Sequence, residues 1–573
     1  MIKIFLKLIF LILVTINLAG QEKYPIEDFI SPLDIPIKLS GTFGELRSGH
    51  FHSGIDLKTG EMEGLPVYAI ADGYVSRIKI QSGGYGKALY ITHTNGFVSV
   101  YAHLSRYNDL INGYVIEKHY HNRSYELDLY PDKNLFPLKQ GEIVAYSGNT
   151  GRSGGPHLHF EIRSEADQKP LNPLLFGYEV FDDQAPVINF LKIYPLGKEG
   201  LVGQINKPAG FTVLARGNKY SVNNGAPVQA AGKIYFGINT IDLFYGGVNK
   251  NGVFAITLFV DDDIHYRHAF ESFSFDETRF INSLIDYREY QTNKRHIQLS
   301  YIQPNNHLSI YQAANNRGVL AVEPSRTYRI KFVVEDFAGN QSELSFTLEG
   351  TAMVAGELKA KVSEEVTLFD YKKTNIFRNK DITFKVPGNA LYDTLSFMYE
   401  KRSAPAGHQN PVHRLHQDLI PLHTWCNVSI RPEVLPENFR SKALIARIDE
   451  KQELKTAGGS WEKGSVNTRI REFGDYLVVI DTVPPTITPV NINPGKSLLA
   501  QQSIQVKISD ELSGISHYRP TLNDEWILME YDEKNDLLVY SFDRLLKEGE
   551  NIFKIEVWDK KENYSVYSAI LNY

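Results

Sequence analysis

In HLHFEIR, residues 157 to 163, polar and apolar side chains alternate without a slip. Neighbouring side chains on a β-strand point to opposite faces, so the segment reads as a strand with Leu158, Phe160 and Ile162 toward a core. His157, His159, Glu161 and Arg163 then share the other face, which is left for chemistry or solvent. On a helix, residues two apart diverge by roughly 200°, so a helical His-x-His could not aim both rings at one point. Gly154, Gly155 and Pro156 just ahead favour a turn feeding the strand. Similar short runs recur. FVSVYAH (97 to 103) follows ALYITH (88 to 93) across an Asn-Gly turn, a hairpin signal, and PVYAIAD, GYVSRIKI and EIVAYSG add further strands. The expected fold is all-β, with an antiparallel sheet domain first.

With 573 residues the chain exceeds what one core holds, and about 150 residues per domain predicts three or four. The opening MIKIFLKLIFLILVTINLAG has Lys3 and Lys7 near the front, an apolar stretch from Leu8 to Val14, and small residues at its end. It reads as a signal peptide over 1–20, its apolar stretch being shorter than the roughly 20 residues of a membrane span. No cysteine follows it closely, so the expected product is exported to a bacterial periplasm or envelope and is not a lipoprotein. The one cysteine in the chain, Cys426, leaves no disulfide and reads as a small buried hydrophobe. A net charge of −6 and no basic cluster with interleaved aromatics make nucleic acid an unexpected partner.

The Gly- and His-rich character of the first domain, 21–180, gives way near DDQAPVI (182 to 188) to longer β-rich stretches. Two later pieces resemble each other. DDQAPVI is matched by DTVPPTI (481 to 487), and IYFGINTIDLFYGG by IQVKISDELSGI, each a strand, then Asp242 or Asp510, then a glycine turn. KFVVEDFAGNQSELSFTLEG (331 to 350) is matched by FKIEVWDKKENYSVYSAILNY (553 to 573). That layout predicts immunoglobulin-like β-sandwich modules at 181–350 and 481–573, with a β-rich module of uncertain class at 351–480.

Histidine and aspartate recur on the open strand faces. In HFHSGIDL (50 to 57), His50, His52 and Asp56 fall on one parity and Phe51, Ile55 and Leu57 on the other. Fully extended, residues 52 and 56 would sit about 13 Å apart, too far to share an ion, so the chain must bend at Ser53-Gly54. If His52, Asp56 and His159 share a metal, three protein ligands leave a fourth position open, the form of a catalytic zinc site, with cobalt or manganese as other occupants in vitro.

GTFGELRSGHFHSGIDLKT, YAHLS and GNTGRSGGPHLHFEIR, in that order, resemble the motifs of the lysostaphin and LytM-like zinc metallopeptidases, which cut peptide bonds in peptidoglycan. The resemblance covers residues 40 to 165 or so. It implies Zn2+ on His52, Asp56 and His159, with His103 and His157 as the catalytic pair that divides the proton transfers of amide hydrolysis. It also implies a peptidoglycan peptide as substrate; from architecture alone, the C-terminal modules are expected to position the enzyme at the wall or to bind an envelope protein. The rival reading is a weak or inactive homologue serving as an envelope scaffold or as regulator of a cell-wall amidase.

Other residues take expectations from the same patterns. His119 and His121 share the His-x-His spacing but lack an alternating apolar face and lie in a segment the family pattern lacks, so they are not expected to bind metal. His50 reads as solvated. Arg47 reads either as a ligand-orienting or substrate-carboxylate group or as a surface ion pair. Tyr101, on the parity of His103, is a candidate substrate contact. Between Leu104 and Gly141 the chain is longer than the family pattern, enough for an extra hairpin, read as a wall or lid of the substrate groove.

Overall fold

The computed structural model describes residues 24–244, 249–352 and 367–573; the expected signal peptide lies outside the described residues. The first domain is built on an antiparallel sheet with the strand order Leu39–Gly41, Ile55–Lys58, His157–Ser164, Phe97–Ala102, Lys87–His93, Gly73–Ile80, Leu127–Leu129. The alternation of the strand 157–164 operates as its sequence dictates. Leu158, Phe160 and Ile162 are fully buried in a core with Leu57, Leu89 and Tyr101. A three-stranded sheet of Pro66–Tyr68, Ile143–Tyr146 and Arg106–Tyr107 adds Val67, Val144 and Tyr107 to that core.

The insertion departs from expectation. In place of a hairpin it forms an α-helix, Asp109–Asn122, whose N-cap Asn108 accepts a hydrogen bond from the Ile111 amide at 2.9 Å. Ile111, Val115 and His119 recur every four residues and form its buried stripe. His119 donates from Nδ1 to the Ser124 carbonyl at 2.8 Å, while His121 is exposed on another side of the helix. After the helix, Leu127–Leu129 and Pro137–Leu138 both pair with Gly73–Ile80, at the far edge of the sheet from Ile55–Lys58.

Three further bodies follow, each around its own apolar cluster. The second holds a mixed sheet in which Val228–Phe244 pairs antiparallel with Val187–Pro195 and parallel with Gln341–Gly350, curling the sheet around Ile238, Leu258 and Phe332. The third has two five-stranded sheets, with Cys426 buried between them and its thiol pushed up to about 12 by burial. The fourth has two four-stranded sheets closed on Ile504, Val506, Phe553 and Val557.

These bodies close into a ring. Phe43 and Phe51 of the first pack on Phe270 and Phe273 of the second, with ring centroids 4.9–5.4 Å apart. Phe280 stacks on His423 of the third at 4.2 Å. Lys561 of the fourth donates to the Ala443 and Gly459 carbonyls of the third, each at 2.6 Å. The circuit is completed where Lys87 pairs with Glu530 at 2.8 Å and Tyr120, on the inserted helix, meets Asp543 and Trp526. The insertion thus braces the last module.

Gly54 marks the closest approach of the two segments that matter most. A Cβ there would lie 2.3 Å from the Phe160 carbonyl oxygen and 2.8 Å from Glu161 Cγ. Gly54→Ala is expected to cost about 1–3 kcal/mol by forcing the bend off the strand. A lowered melting temperature together with weakened zinc retention is the expected result.

Candidate metal centre

Ile55–Lys58 pairs with His157–Ser164 in a register that sets Asp56 directly opposite His159. Facing residues on adjacent strands project from the same side of a sheet, so both side chains point away from the core. Regular strand ends at Phe51 and resumes at Ile55. The intervening bend brings His52 alongside. His52 Nε2 is 3.0 Å from His159 Nδ1 and 3.0 Å from Asp56 Oδ1, and the third side of the triangle, His159 Nδ1 to Asp56 Oδ1, is 2.9 Å. Donors of a tetrahedral zinc site lie about 3.3 Å from one another at normal bond lengths, so this donor set fits zinc with little adjustment. Two imidazoles and a carboxylate are also ligands of the right chemistry for it.

Each candidate ligand is fixed from behind. His52 Nδ1 donates to the Thr42 carbonyl at 2.8 Å, which leaves Nε2 as its lone-pair nitrogen. His159 Nε2 donates to Glu161 Oε1 at 2.9 Å, leaving Nδ1 toward Asp56. Arg47 Nη2 donates to Asp56 Oδ2 at 2.6 Å, leaving Oδ1 for the centre. The Arg47 expectation resolves as orientation of a candidate ligand. Glu161 is fully buried and accepts from Ser53 Oγ at 2.6 Å, from the Tyr85 hydroxyl, and from Arg163 Nε at 2.6 Å. Burial opposes its charge, but the Arg163 guanidinium and these donors hold its carboxyl below the usual range. Burial likewise opposes the charge of Asp56, yet the surrounding histidines keep it well below normal. His52 is brought to about 4, chiefly by burial. His159 goes the other way: burial would lower it, but hydrogen bonds to Asp56 and Glu161 carry it up to about 9. The space between those two carboxylates favours positive charge.

His103 and His157 stand beside this triangle with ring centroids 4.8 Å apart, and His157 Nε2 lies 3.5 Å from Asp56 Oδ1. Their Nδ1 atoms donate to carbonyls, His103 to Thr150 at 2.8 Å and His157 to Gly155 at 2.8 Å. In the neutral tautomer this leaves Nε2 of each ring as the acceptor nitrogen. Burial lowers His103 to about 3. Strict alternation would have put His103 on the core face with Tyr101. Instead its φ of 59° lies in the left-handed region and reverses the side chain onto the polar face.

Tyr101 is corrected accordingly. It is fully buried, its hydroxyl accepting from the Ile70 amide at 3.2 Å and from Ser99 Oγ at 3.0 Å, with no access to a substrate. His50 is exposed, as expected.

The four buried members of the site are at most 6% exposed, and His157 is its open side. It borders a groove of about 950 Å³ walled by Ile35, Pro36, Met62, Leu65, Lys38 and Lys58. No residue of the insertion is among those lining the groove, so the lid expected from residues 104–141 is not built there.

This sheet, with two histidines and an aspartate converging on one point, carries a site of the class that holds zinc. Residues 50–119 and 133–173 match peptidase family M23, with a break at 120–132 inside the insertion, and residues 366–481 match the Zu5-like domain. The first domain belongs to peptidase family M23, the lysostaphin and LytM-like zinc metallopeptidases. The chain is 33% identical over 150 residues to the DD-carboxypeptidase/endopeptidase Mpg of Neisseria meningitidis serogroup B, covering 25% of this chain and 28% of that protein. The shared part is thus under a third of the relative's length. Among solved structures, the catalytic domain of the M23 protein EnpA of Enterococcus faecalis is 26% identical, covering 26% of this chain and 94% of that one with a TM-score of 0.19. A zinc-containing peptidase from Vibrio cholerae is 24% identical, covering 27% and 41% with a TM-score of 0.19.

Glu161 is the residue sequence reading left without a role, although it shares the parity of both histidines. Groups behind metal-binding histidines commonly set ligand affinity by 10–100-fold. Glu161→Gln is therefore expected to weaken zinc about 10–100-fold in competition with a chromophoric chelator, while circular dichroism remains that of the folded chain.

Proposed function

We propose that this chain is an exported zinc metalloendopeptidase that hydrolyses peptide bonds in the stem or cross-link of peptidoglycan. The observation that carries the reading is the convergence of His52, Asp56 and His159, each oriented by a partner of its own, with two further histidines whose Nδ1 atoms are each held by a backbone carbonyl. When bound, zinc supplies Lewis acidity toward a carbonyl and lowers the pKa of water. His52, Asp56 and His159 hold it. Of His103 and His157, one takes a proton from the attacking water at Nε2 and passes that same proton to the leaving amine, while the other, to donate a hydrogen bond to the developing oxyanion, would have to enter the step protonated at Nε2. Their Nδ1–H bonds to Thr150 and Gly155 fix both rings for this. The groove beside His157 suits an extended peptide, apolar along Ile35, Met62 and Leu65 and with Lys38 and Lys58 for acidic groups.

In this reading residues 1–20 are a cleaved signal, and the modules at 181–350, 351–480 and 481–573, two of them immunoglobulin-like, hold the enzyme in the envelope or bind a partner there. The similar M23 proteins named DD-endopeptidases support the substrate class.

Digestion of purified sacculi tests it. Soluble muropeptides should appear, vanish with chelator and return with zinc. His159→Ala should lose both metal and activity, whereas His103→Ala should keep zinc and lose turnover by about 10²–10⁴-fold. Intact sacculi after incubation with the zinc-loaded chain would instead favour the scaffold or amidase-regulator reading.

A further inference from the structure

The second module carries a cluster that the zinc chemistry does not use. Along Val228–Phe244 the inward-facing residues Ile234, Phe236 and Ile238 give way to Thr240 and Asp242, which stay buried at 8% and 1% exposure. Along Thr327–Glu335 the inward stripe of Ile330, Phe332 and Val334 runs on into Asp336, 2% exposed. Two core stripes therefore end in aspartate at the same end of the module. Asp182, on the connection from the M23 domain, joins them, and one carboxylate oxygen from each of the three lies within 4.8 Å of the other two.

Each carboxylate accepts a backbone amide, Asp182 from Gln184, Asp242 from Leu243 and Asp336 from Asn340, but among the described residues no cation faces the three. Asn251, directly opposite Asp242 in the strand register and so on the same face, is 4% exposed with neither Oδ1 nor Nδ2 partnered. Thr240 Oγ1, two residues along the strand from Asp242 and on its face, is also buried without a partner, and so is Asp182 Oδ2. Buried polar atoms are nearly always satisfied, so four unsatisfied ones at this cluster, three of them oxygens, point to a missing group that accepts oxygen ligands. No lysine or arginine pairs with any of the three aspartates among the described residues.

The chain contains its own comparison. Asp481, Asp510 and Asp559 form the equivalent cluster in the last module. There too the carboxylates accept backbone donors, including Ser513 N on Asp481 at 3.1 Å, Gly514 N on Asp510 at 2.6 Å and Lys561 N on Asp559 at 2.7 Å, so the difference between the clusters lies in charge. The buried Lys561 ammonium also attracts Asp481 and Asp559. The residue matching Lys561 in the second module is Ala338.

We propose that Asp182, Asp242 and Asp336, flanked by Asn251 and Thr240, form a calcium site at the seam between the second module and the M23 domain. All-oxygen donors with several carboxylates are the ligand set of Ca2+, whereas zinc prefers the imidazoles of the first domain. The site has structural leverage. Gly252, next to Asn251, exchanges hydrogen bonds with Thr42 Oγ1 at 3.0 and 3.2 Å, and the Thr42 carbonyl is the group that orients His52.

The test is isothermal titration of CaCl2 into the full chain, stripped of metal and reloaded with one equivalent of zinc. One ion should bind with a dissociation constant of about 10⁻⁴–10⁻³ M, the range of extracellular modules, and millimolar calcium should raise the melting temperature. Asp242→Asn should abolish both effects, and Asp510→Asn should leave both intact. Ala338→Lys, at an exposed position, imports the charge found in the last module and should weaken binding at least tenfold even if Asp242→Asn fails to fold. No calcium binding by the zinc-loaded chain, unchanged binding in Ala338→Lys, or loss of binding in Asp510→Asn would each overturn the proposal.

Discussion

The pairing of Asp56 against His159 is the constraint on which the rest of the site rests. Two strands far apart in sequence meet in one register, and because side chains alternate, a slip of one residue would turn either group into the core. The apolar faces of both strands, Ile55 and Leu57 on one and Leu158, Phe160 and Ile162 on the other, enforce that register by being buried together. Core packing and metal geometry are therefore the same choice seen from two sides of the sheet. Gly54 lets the bend carrying His52 lie close against Phe160, so the third donor arrives without disturbing the strand.

Much of this was legible in the sequence because a period of two is a strong signal. It predicted the all-β class, the two-sided strand at 157–164 and the need for a bend between His52 and Asp56. Where alternation stops, the reading failed. His103 lies one residue past its strand with a left-handed backbone, which moves it to the polar face and leaves Tyr101 in the core. The helix at 109–122 does have a signal, an Asn cap followed by Ile111, Val115 and His119 at intervals of four, but its aromatic and β-branched residues and Gly113 mask it. The carbonyls of Thr42, Thr150 and Gly155 carry no trace in residue type, since any residue supplies a carbonyl. Only the folded backbone shows which ones the imidazoles use.

The ring of modules bears on the centre at two points. On one side Phe270 and Phe273 pack against Phe43 and Phe51, next to Thr42 and His52. On the other, Lys534 of the last module donates to the Asn149 carbonyl at 2.5 Å, and Arg152 faces Glu533 at 3.6 Å, bracketing Thr150, which anchors His103. Both loops that fix the imidazole tautomers are thus buttressed by modules from elsewhere in the chain. Such support matters because an imidazole turned over at the centre would present an N–H where a lone pair is required.

Anomalous diffraction at the zinc edge, from crystals of the full chain, tests the central claim most directly. The account predicts a single strong peak enclosed by His52 Nε2, Asp56 Oδ1 and His159 Nδ1, with His159 Nε2 still on Glu161. A zinc peak lying elsewhere, or a His159 ring flipped to offer Nε2 to the metal, would contradict it.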